Sequence, residues 1–324
     1  RKPGQSRFTT ARQEGDQVEI LSGVFEGKTT GTPIALEVRN TDQRSHDYSN
    51  IMDVYRPGHA DFTFDQKYGF RDYRGGGRSS GRETIGRVAA GAVAAKLLER
   101  LGVRVFAYTS AIGPVSIDRS RMEIPKMWEN RLYMPDDIAA KEAESYLEDM
   151  MARRDSCGGV VECVIEGLPA GVGEPVFDKL DAALAKAMMS IGAVKGVEIG
   201  DGFEAAVSTG SQDNDSFCID SAGHPAKRTN HSGGVLGGMS DSSPVVIRAA
   251  FKPTPSIAQP QSTVDRSGKE REIEIHGRHD PIIVPRAVVV AEAMAALTAA
   301  DLLLMSMTSR LDRMEEFFER MRRK

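Results

Sequence analysis

One long apolar stretch, Ala287–Met307, sets the strongest limit on how this chain can fold. Glu292 and Asp301 interrupt it, and its longest uncharged run is Ala293–Ala300. That run is far short of the ~20 residues a bilayer span needs. The stretch is therefore expected to be a buried core helix, Pro285–Met307, and no membrane span is expected. A chain of 324 residues is long enough to surround such a helix with a sizeable core.

The other segments read as alternating strands and helices. Val18–Phe25 and Pro33–Arg39 are expected to be short strands around a turn at Gly27–Gly31. Arg82–Leu101 carries Ile85, Ala89, Ala92 and Ala95 at helical spacing and stops at Gly102. Val103–Tyr108 and Gly159–Glu166 read as strands, and Asp136–Arg154 as a charged amphipathic helix. Lys179–Ile191 is an apolar helix with Leu180, Leu184, Ala187, Met188 and Ile191 on its buried side. Gly192–Gly202 reads as a glycine-bearing turn, and Phe203–Ser208 and Val245–Phe251 as strands. Between those two strands, Gly210–Ser243 is rich in Gly, Ser, Asp and Asn, and its length suggests a functional loop or lid. Ser309–Lys324 reads as a polar terminal helix. The alternation lacks a regular βαβ rhythm, so the expected class is α/β in mixed (α+β) layers, in a single domain.

Composition excludes some functions. Apolar residues make up 40% and charged residues 27%, as in a soluble globular protein. The net charge of -4 argues against general affinity for nucleic acid. Cys157, Cys163 and Cys218 are odd in number and lack CxxC spacing. No disulfide framework and no metal site is expected, and a reducing cytoplasm fits best.

Four segments could carry chemistry. The first is Arg71-Asp-Tyr-Arg-Gly-Gly-Gly-Arg-Ser-Ser-Gly-Arg-Glu83. Its glycines let backbone approach a ligand closely. Ser80 and Glu83 form a capping-box pattern before the Arg82–Leu101 helix, whose N-terminus suits an anion. Arg71, Arg74, Arg78 and Arg82 add bidentate forks. The segment lacks the Gly-Lys-Ser/Thr ending of a Walker A loop, and Ser80 stands where a GxGxxG fingerprint needs glycine. Anion binding and a plain glycine turn with solvated arginines both remain open here.

The second segment, Tyr55-Arg-Pro-Gly-His-Ala-Asp61, places His59 on a loop near that arginine run. There it is either a general acid beside an anion or a histidine with no role. The third, Gly277-Arg-His-Asp-Pro281, puts Asp280 before the apolar helix, as a turn cap or an active-site carboxylate. The fourth pairs the glycine-rich Asn230–Gly238 with Lys252-Pro-Thr-Pro-Ser256, where Lys252, Thr254 and Ser256 could reach a phosphate. An ordinary glycine loop and a proline-rich strand exit is the alternative.

In this order and together, these segments resemble the chorismate synthase family. The similar stretches are Arg1–Thr10, Asp16–Gly31, Tyr55–Gly69, Arg71–Val93, Gly167–Phe177, Ser190–Phe203, Asn230–Gly238, Lys252–Ser256 and Gly277–Met294. Arg-Gly-Gly-Gly-Arg-Ser-Ser and Gly-Arg-His-Asp-Pro at this separation are the most specific pair. The resemblance implies a β-α-β sandwich, a homotetramer and bound reduced FMN. It implies FMN contacts at Arg78, Ser79, Ser80, Gly192, Ala193, Gly237, Lys252, Pro253, Thr254, Pro255, Ser256 and Arg278. It implies contacts to substrate at Arg1, Arg7, Arg71 and Arg74, with Arg1 and Arg7 also matching positions that contact NADP.

The implied reaction is anti 1,4-elimination of phosphate from 5-enolpyruvylshikimate-3-phosphate, a step towards the aromatic amino acids. His59 matches the histidine that keeps the reduced flavin protonated, and Asp280 matches a carboxylate near flavin N5. NADPH would act indirectly, through flavin reduction by a separate reductase. The family opens with a segment carrying Gly-Glu-Ser-His-Gly, whose histidine protonates the leaving phosphate, whereas the sequence given begins at Arg1. The expectation is little turnover by a chain starting there. Gly81 replaces a more usual Ala, and Gly192 stands where some relatives have Asn. A flavin-binding relic without turnover and a phosphosugar-binding protein without flavin are the two rival readings.

Overall fold

The structure is a computed structural model that describes residues 3–9, 15–40, 51–73, 77–275 and 280–323. Its helices are α1 (Asp61–Tyr68), α2 (Thr84–Arg100), α3 (Asp137–Ala152), α4 (Leu180–Met189), the single turn α5 (Gly210–Asp213), α6 (Val284–Ser306) and α7 (Leu311–Arg322). A five-stranded sheet runs in the order Val115–Ser116, Arg104–Ile112, Gly159–Glu166, Val245–Phe251, Val194–Ile199. The class is mixed α and β, as the sequence predicts. In the strand Val245–Phe251, alternate residues Val245, Ile247, Ala249 and Phe251 are buried, the period-two pattern of a strand with one covered face.

The chain divides into two compact units. One comprises residues 1–89, 108–161 and 250–290, and the other residues 90–107, 162–249 and 291–324. The division falls inside α2, α6 and three strands of the sheet. The first unit buries Phe8, Ile112, Leu132, Met134 and the Ala139, Ala143 and Leu147 face of α3. Asp136 starts α3 by accepting from the N–H groups of Ile138 and Ala139 at 3.0 and 3.3 Å. The second unit buries Leu180, Leu184 and Met188 of α4 together with Ala291, Ala295, Ala296 and Ala299 of α6.

α6 corrects one expectation. Within its 23 residues lies an 18-residue stretch with a mean hydropathy of 1.9, long and apolar enough, by length and composition, to cross a membrane. The longest uncharged run understates it, because an isolated Glu or Asp does not end an apolar helix. Half of that stretch lies buried in the fold, as in a core helix. Burial pushes the Glu292 carboxyl up, partly offset by the N–H of Ala107.

Three further segments differ from expectation. The first hairpin region is two nested pairs, Glu19–Ile20 with Leu36–Glu37 and Val24–Phe25 with Lys28–Thr29. The inner one turns at Glu26 and Gly27, both at positive φ as a two-residue turn of this hand requires. Phe203–Ser208 is not a strand: Gly202–Ala206 is a 3-10 turn, and the strand is Val194–Ile199, where a turn was expected. Gly200 and Gly202, both at φ +58, end it, and a Cβ on Gly200 would stand 2.1 Å from the His231 carbonyl oxygen. Residues 210–243 are not structureless. They hold α5 and two hairpins, Phe217–Ile219 with Pro225–Lys227 and Val235–Leu236 with Met239–Ser240. A buried Lys227 ammonium, 3.1 Å from Asp215 and 2.5 Å from Asp241, pins them. This polar cross-link leaves no apolar periodicity in the sequence.

The small residues of α2 have a packing purpose. A Cβ on Gly91 would lie 2.3 Å from the Cβ of Ala293 on α6. Gly91→Ala should gain about 1 kcal/mol of helix propensity and lose about 1–3 kcal/mol to overpacking. A net loss of stability is expected in a denaturant melt, and a stabilised variant would show that the two helices can move apart.

Candidate functional site

The loop that carries His59 is built by buried charges of the first unit. Asp61 begins α1 and accepts from the Arg56 backbone N–H at 3.0 Å and from its guanidinium at 2.8 Å through each oxygen. Arg71 is only 4% exposed at its side chain. Its guanidinium donates to Asp65 at 2.9 Å and to the carbonyls of Ile51, Met52 and Val54 at 3.2, 3.1 and 2.7 Å. It lies 3.8 Å from Asp61 and sits against the Tyr55 ring. Arg266 closes the far side of Asp65 with a bidentate pair at 3.0 and 2.8 Å. The hydrogen bond from Arg266 and the charges of both arginines hold the Asp65 carboxyl below its ordinary range.

Against this loop lies the exit of the strand Val245–Phe251. Lys252 donates to the Gly58 carbonyl at 2.7 Å, and His59 Nε2 is 2.9 Å from Ser256 Oγ. A Cβ on Gly58, which has φ +70, would lie 2.6 Å from the Pro255 Cβ, so only glycine allows this approach. Ser156 Oγ donates to the Thr254 carbonyl at 2.6 Å and fixes the segment from beneath. Thr254 Oγ1 is buried and has no hydrogen-bond partner among the described residues. Residues 197 apart in sequence thus meet, bringing His59 to Lys252–Ser256.

The remaining expected residues are placed as follows. Arg78 and Ser79 are exposed just before α2. Ser80 caps that end, but not as a capping box. Its Oγ accepts from the Arg82 N–H at 3.3 Å, and the Glu83 carboxylate turns to Arg87 at 3.1 Å instead. A 3-10 turn at Gly81–Glu83 precedes the helix and moves the cap by one residue. Asp280 pairs with Arg286 in the first turn of α6 at 2.6 Å. Arg7 is exposed and pairs with Glu148 at 2.5 Å. Arg1, Arg74 and Arg278 lie outside the described residues. Gly192, Ala193 and Gly237 belong to the second unit. There Ala193 holds φ +74, an unusual conformation for a residue with a Cβ. His231 Nδ1 lies 2.7 Å from Asp201, whose hydrogen bond and charge raise the imidazole.

The partners Asp61, Asp65 and Arg266 were not foreseen from the sequence, although Arg56 and Asp61 stand in the quoted loop. Arg71 was foreseen as a substrate contact, and its guanidinium is engaged with interior groups.

The sequence model described as chorismate synthase matches residues 1–304. The chain belongs to the chorismate synthase family. It is 63% identical over 321 residues to a chorismate synthase of Agathobacter rectalis, covering 99% of this chain and 87% of that protein. The chorismate synthase of Lachnoclostridium phytofermentans is 61% identical over 320 residues, with 99% and 87% covered. A crystal structure of a chorismate synthase, 33% identical, superposes with a TM-score of 0.72 and covers 93% of this chain and 82% of that one. Membership makes the chain a carbon–oxygen lyase acting on phosphates in the shikimate pathway to aromatic amino acids.

The loop's charges predict a pH effect. Burial alone would push the Asp61 carboxyl up, but the hydrogen bonds and charge of Arg56, with the charge of Arg71, bring it below its usual value. A carboxylate depressed on folding stabilises above its unfolded pKa, near 3.9, and that stabilisation is lost as pH falls through the folded value. Asp61→Asn should cost about 3 kcal/mol at pH 7, because it strands buried guanidinium charge. The gap from the parent should narrow below about pH 4. Urea melts across pH 3–8 check this, and a gap that does not change with pH would contradict it.

Proposed function

We propose that the chain binds reduced FMN and eliminates phosphate from 5-enolpyruvylshikimate-3-phosphate by anti 1,4-elimination, giving chorismate. The observation that carries this reading is the juxtaposition of His59 with Lys252–Ser256, in a member of a family of phosphate-eliminating lyases. The residues present fit a phosphorylated cofactor. Thr254 Oγ1 is buried without a partner among the described residues, and Lys252 spends on Gly58 one of the three protons an ammonium carries.

In this reading Lys252 through Ser256 hold the cofactor together with Arg78, Ser79, Ser80, Gly192, Ala193, Gly237 and Arg278. When bound, reduced FMN supplies electron density to the substrate as phosphate departs. Fixed cations stabilise the charge gathering on the leaving group, and such preorganised charge is the strongest help a site of this kind can give. Arg7, with Arg1 and Arg74, contacts the polyanionic substrate. Arg71 adds its positive field from within and holds the loop. His59 keeps a proton at Nδ1 and exchanges one at Nε2, and Asp280 is the second proton-handling group. The protein is proposed to work as a cytoplasmic homotetramer, with NADPH acting through a separate flavin reductase.

Lys252→Met and Thr254→Val each remove one of the groups assigned to the cofactor. A hydrogen bond to a charged group contributes about 1.5–3 kcal/mol. Lys252→Met should therefore weaken FMN binding by roughly 10- to 100-fold, and Thr254→Val by less. Flavin fluorescence titration measures both, with thermal melts confirming that the variants fold. Unchanged affinity in both variants would remove the assignment, and a parent that binds no flavin would favour a phosphosugar-binding protein instead.

A further inference from the structure

We propose that Ser256 is a positioning residue for His59. With the Pro57 carbonyl, it fixes the ring and sets which nitrogen carries the proton. The inference rests on the reading of His59 as a proton-handling group.

His59 Nδ1 lies 3.0 Å from the Pro57 carbonyl oxygen. A carbonyl can only accept, so Nδ1 carries a proton. In the neutral ring Nε2 then holds the lone pair, and Ser256 Oγ, 2.9 Å away, donates to it. When Nε2 gains a proton the same hydroxyl accepts from it, since a hydroxyl serves both roles by rotating. The heavy atoms need not move between the two states. A lysine or a carboxylate at this position would favour one state of charge, and serine favours neither.

Ser256 can do this because it is itself held. It is 8% exposed and ends a segment whose two prolines fix φ. The Thr254 carbonyl is tied to Ser156, Pro255 packs on Gly58, and Lys252 bonds the Gly58 carbonyl. His59 is thus clamped through its backbone neighbour Gly58 and through its ring by one short stretch. Near its backbone, Arg56 pairs with Asp61, and the Lys252 ammonium is directed at the Gly58 carbonyl. These do not select a tautomer, whereas the Pro57 carbonyl and Ser256 do.

The test uses full-length protein labelled with ¹⁵N-histidine. Long-range ¹H–¹⁵N spectra are recorded in alkaline buffer without flavin, and His59 is assigned with His59→Gln. The expected result is a proton on Nδ1 and a bare, hydrogen-bonded Nε2, with Ser256→Ala moving the Nε2 resonance towards that of an unbonded nitrogen. In turnover with reduced FMN, Ser256→Ala should lower kcat roughly 10- to 100-fold, the cost of a misplaced catalytic group. At saturating reduced FMN, the KM for substrate should stay within about three-fold, since only the transition state loses support. Ser256→Thr, which keeps the hydroxyl, should recover most of the loss.

A proton on Nε2 in the parent would overturn the proposal. So would a fully active Ser256→Ala protein, or a Ser256→Ala protein whose only defect is weaker flavin binding. If His59→Gln is itself fully active while the tautomer is as expected, the fault lies in the proton-handling reading of His59, and the positioning role falls with it.

Discussion

A guanidinium with 4% of its side chain exposed is an expensive thing to bury, and Arg71 is buried that far. It is tolerated only because Asp65, Asp61 and the carbonyls of Ile51, Met52 and Val54 all converge on it. Those acceptors converge only when residues 51–56 curl around the side chain and α1 starts where it does. The charge therefore dictates the path of the loop. His59 follows directly, with its backbone N–H bonded to the Arg56 carbonyl at 3.2 Å and Asp61 closing the turn behind it. One ionic cluster thus serves both the stability of the loop and the placement of the His59 ring.

The opposing wall is rigid for a different reason. Pro253 and Pro255 restrict the backbone, Gly58 lets it come close, and Ser156 and Lys252 tie it at two points. Rigid polar groups are what a reaction with a departing phosphate needs, because dipoles already in place cost nothing to reorganise as charge develops. The Thr254 hydroxyl, which has no partner among the described residues, fits this picture. A buried donor without a partner destabilises the protein alone and is satisfied when an acceptor binds.

Much of this was legible in the sequence. Gly159–Glu166 and Val245–Phe251 show up as strands through their apolar runs, and α2, α3, α4 and α6 through their helical spacing. The motifs carrying His59, Lys252 and Ser256 were visible as types, and family resemblance linked them across 197 residues, a distance no local pattern spans. What stayed hidden was decided by tertiary partners. A sequence shows that Arg71 is an arginine beside glycines, but not that three carbonyls will surround it. It shows Ser80 and Glu83 at capping-box spacing, but not that Arg87 will take the carboxylate. The region 210–243 looked like a lid because its order comes from Lys227 between two aspartates, a device without periodicity.

The central claim is that loop 55–61 and segment 252–256 together form a site for reduced flavin and phosphate elimination. Anaerobic single-turnover conversion of 5-enolpyruvylshikimate-3-phosphate by the full-length protein tests it most directly, with chorismate followed by its absorbance. The account predicts chorismate and phosphate in equal amounts, only when reduced FMN is present, with the flavin returned in its reduced state. Conversion that proceeds equally without flavin, or flavin oxidised in step with product, would contradict it.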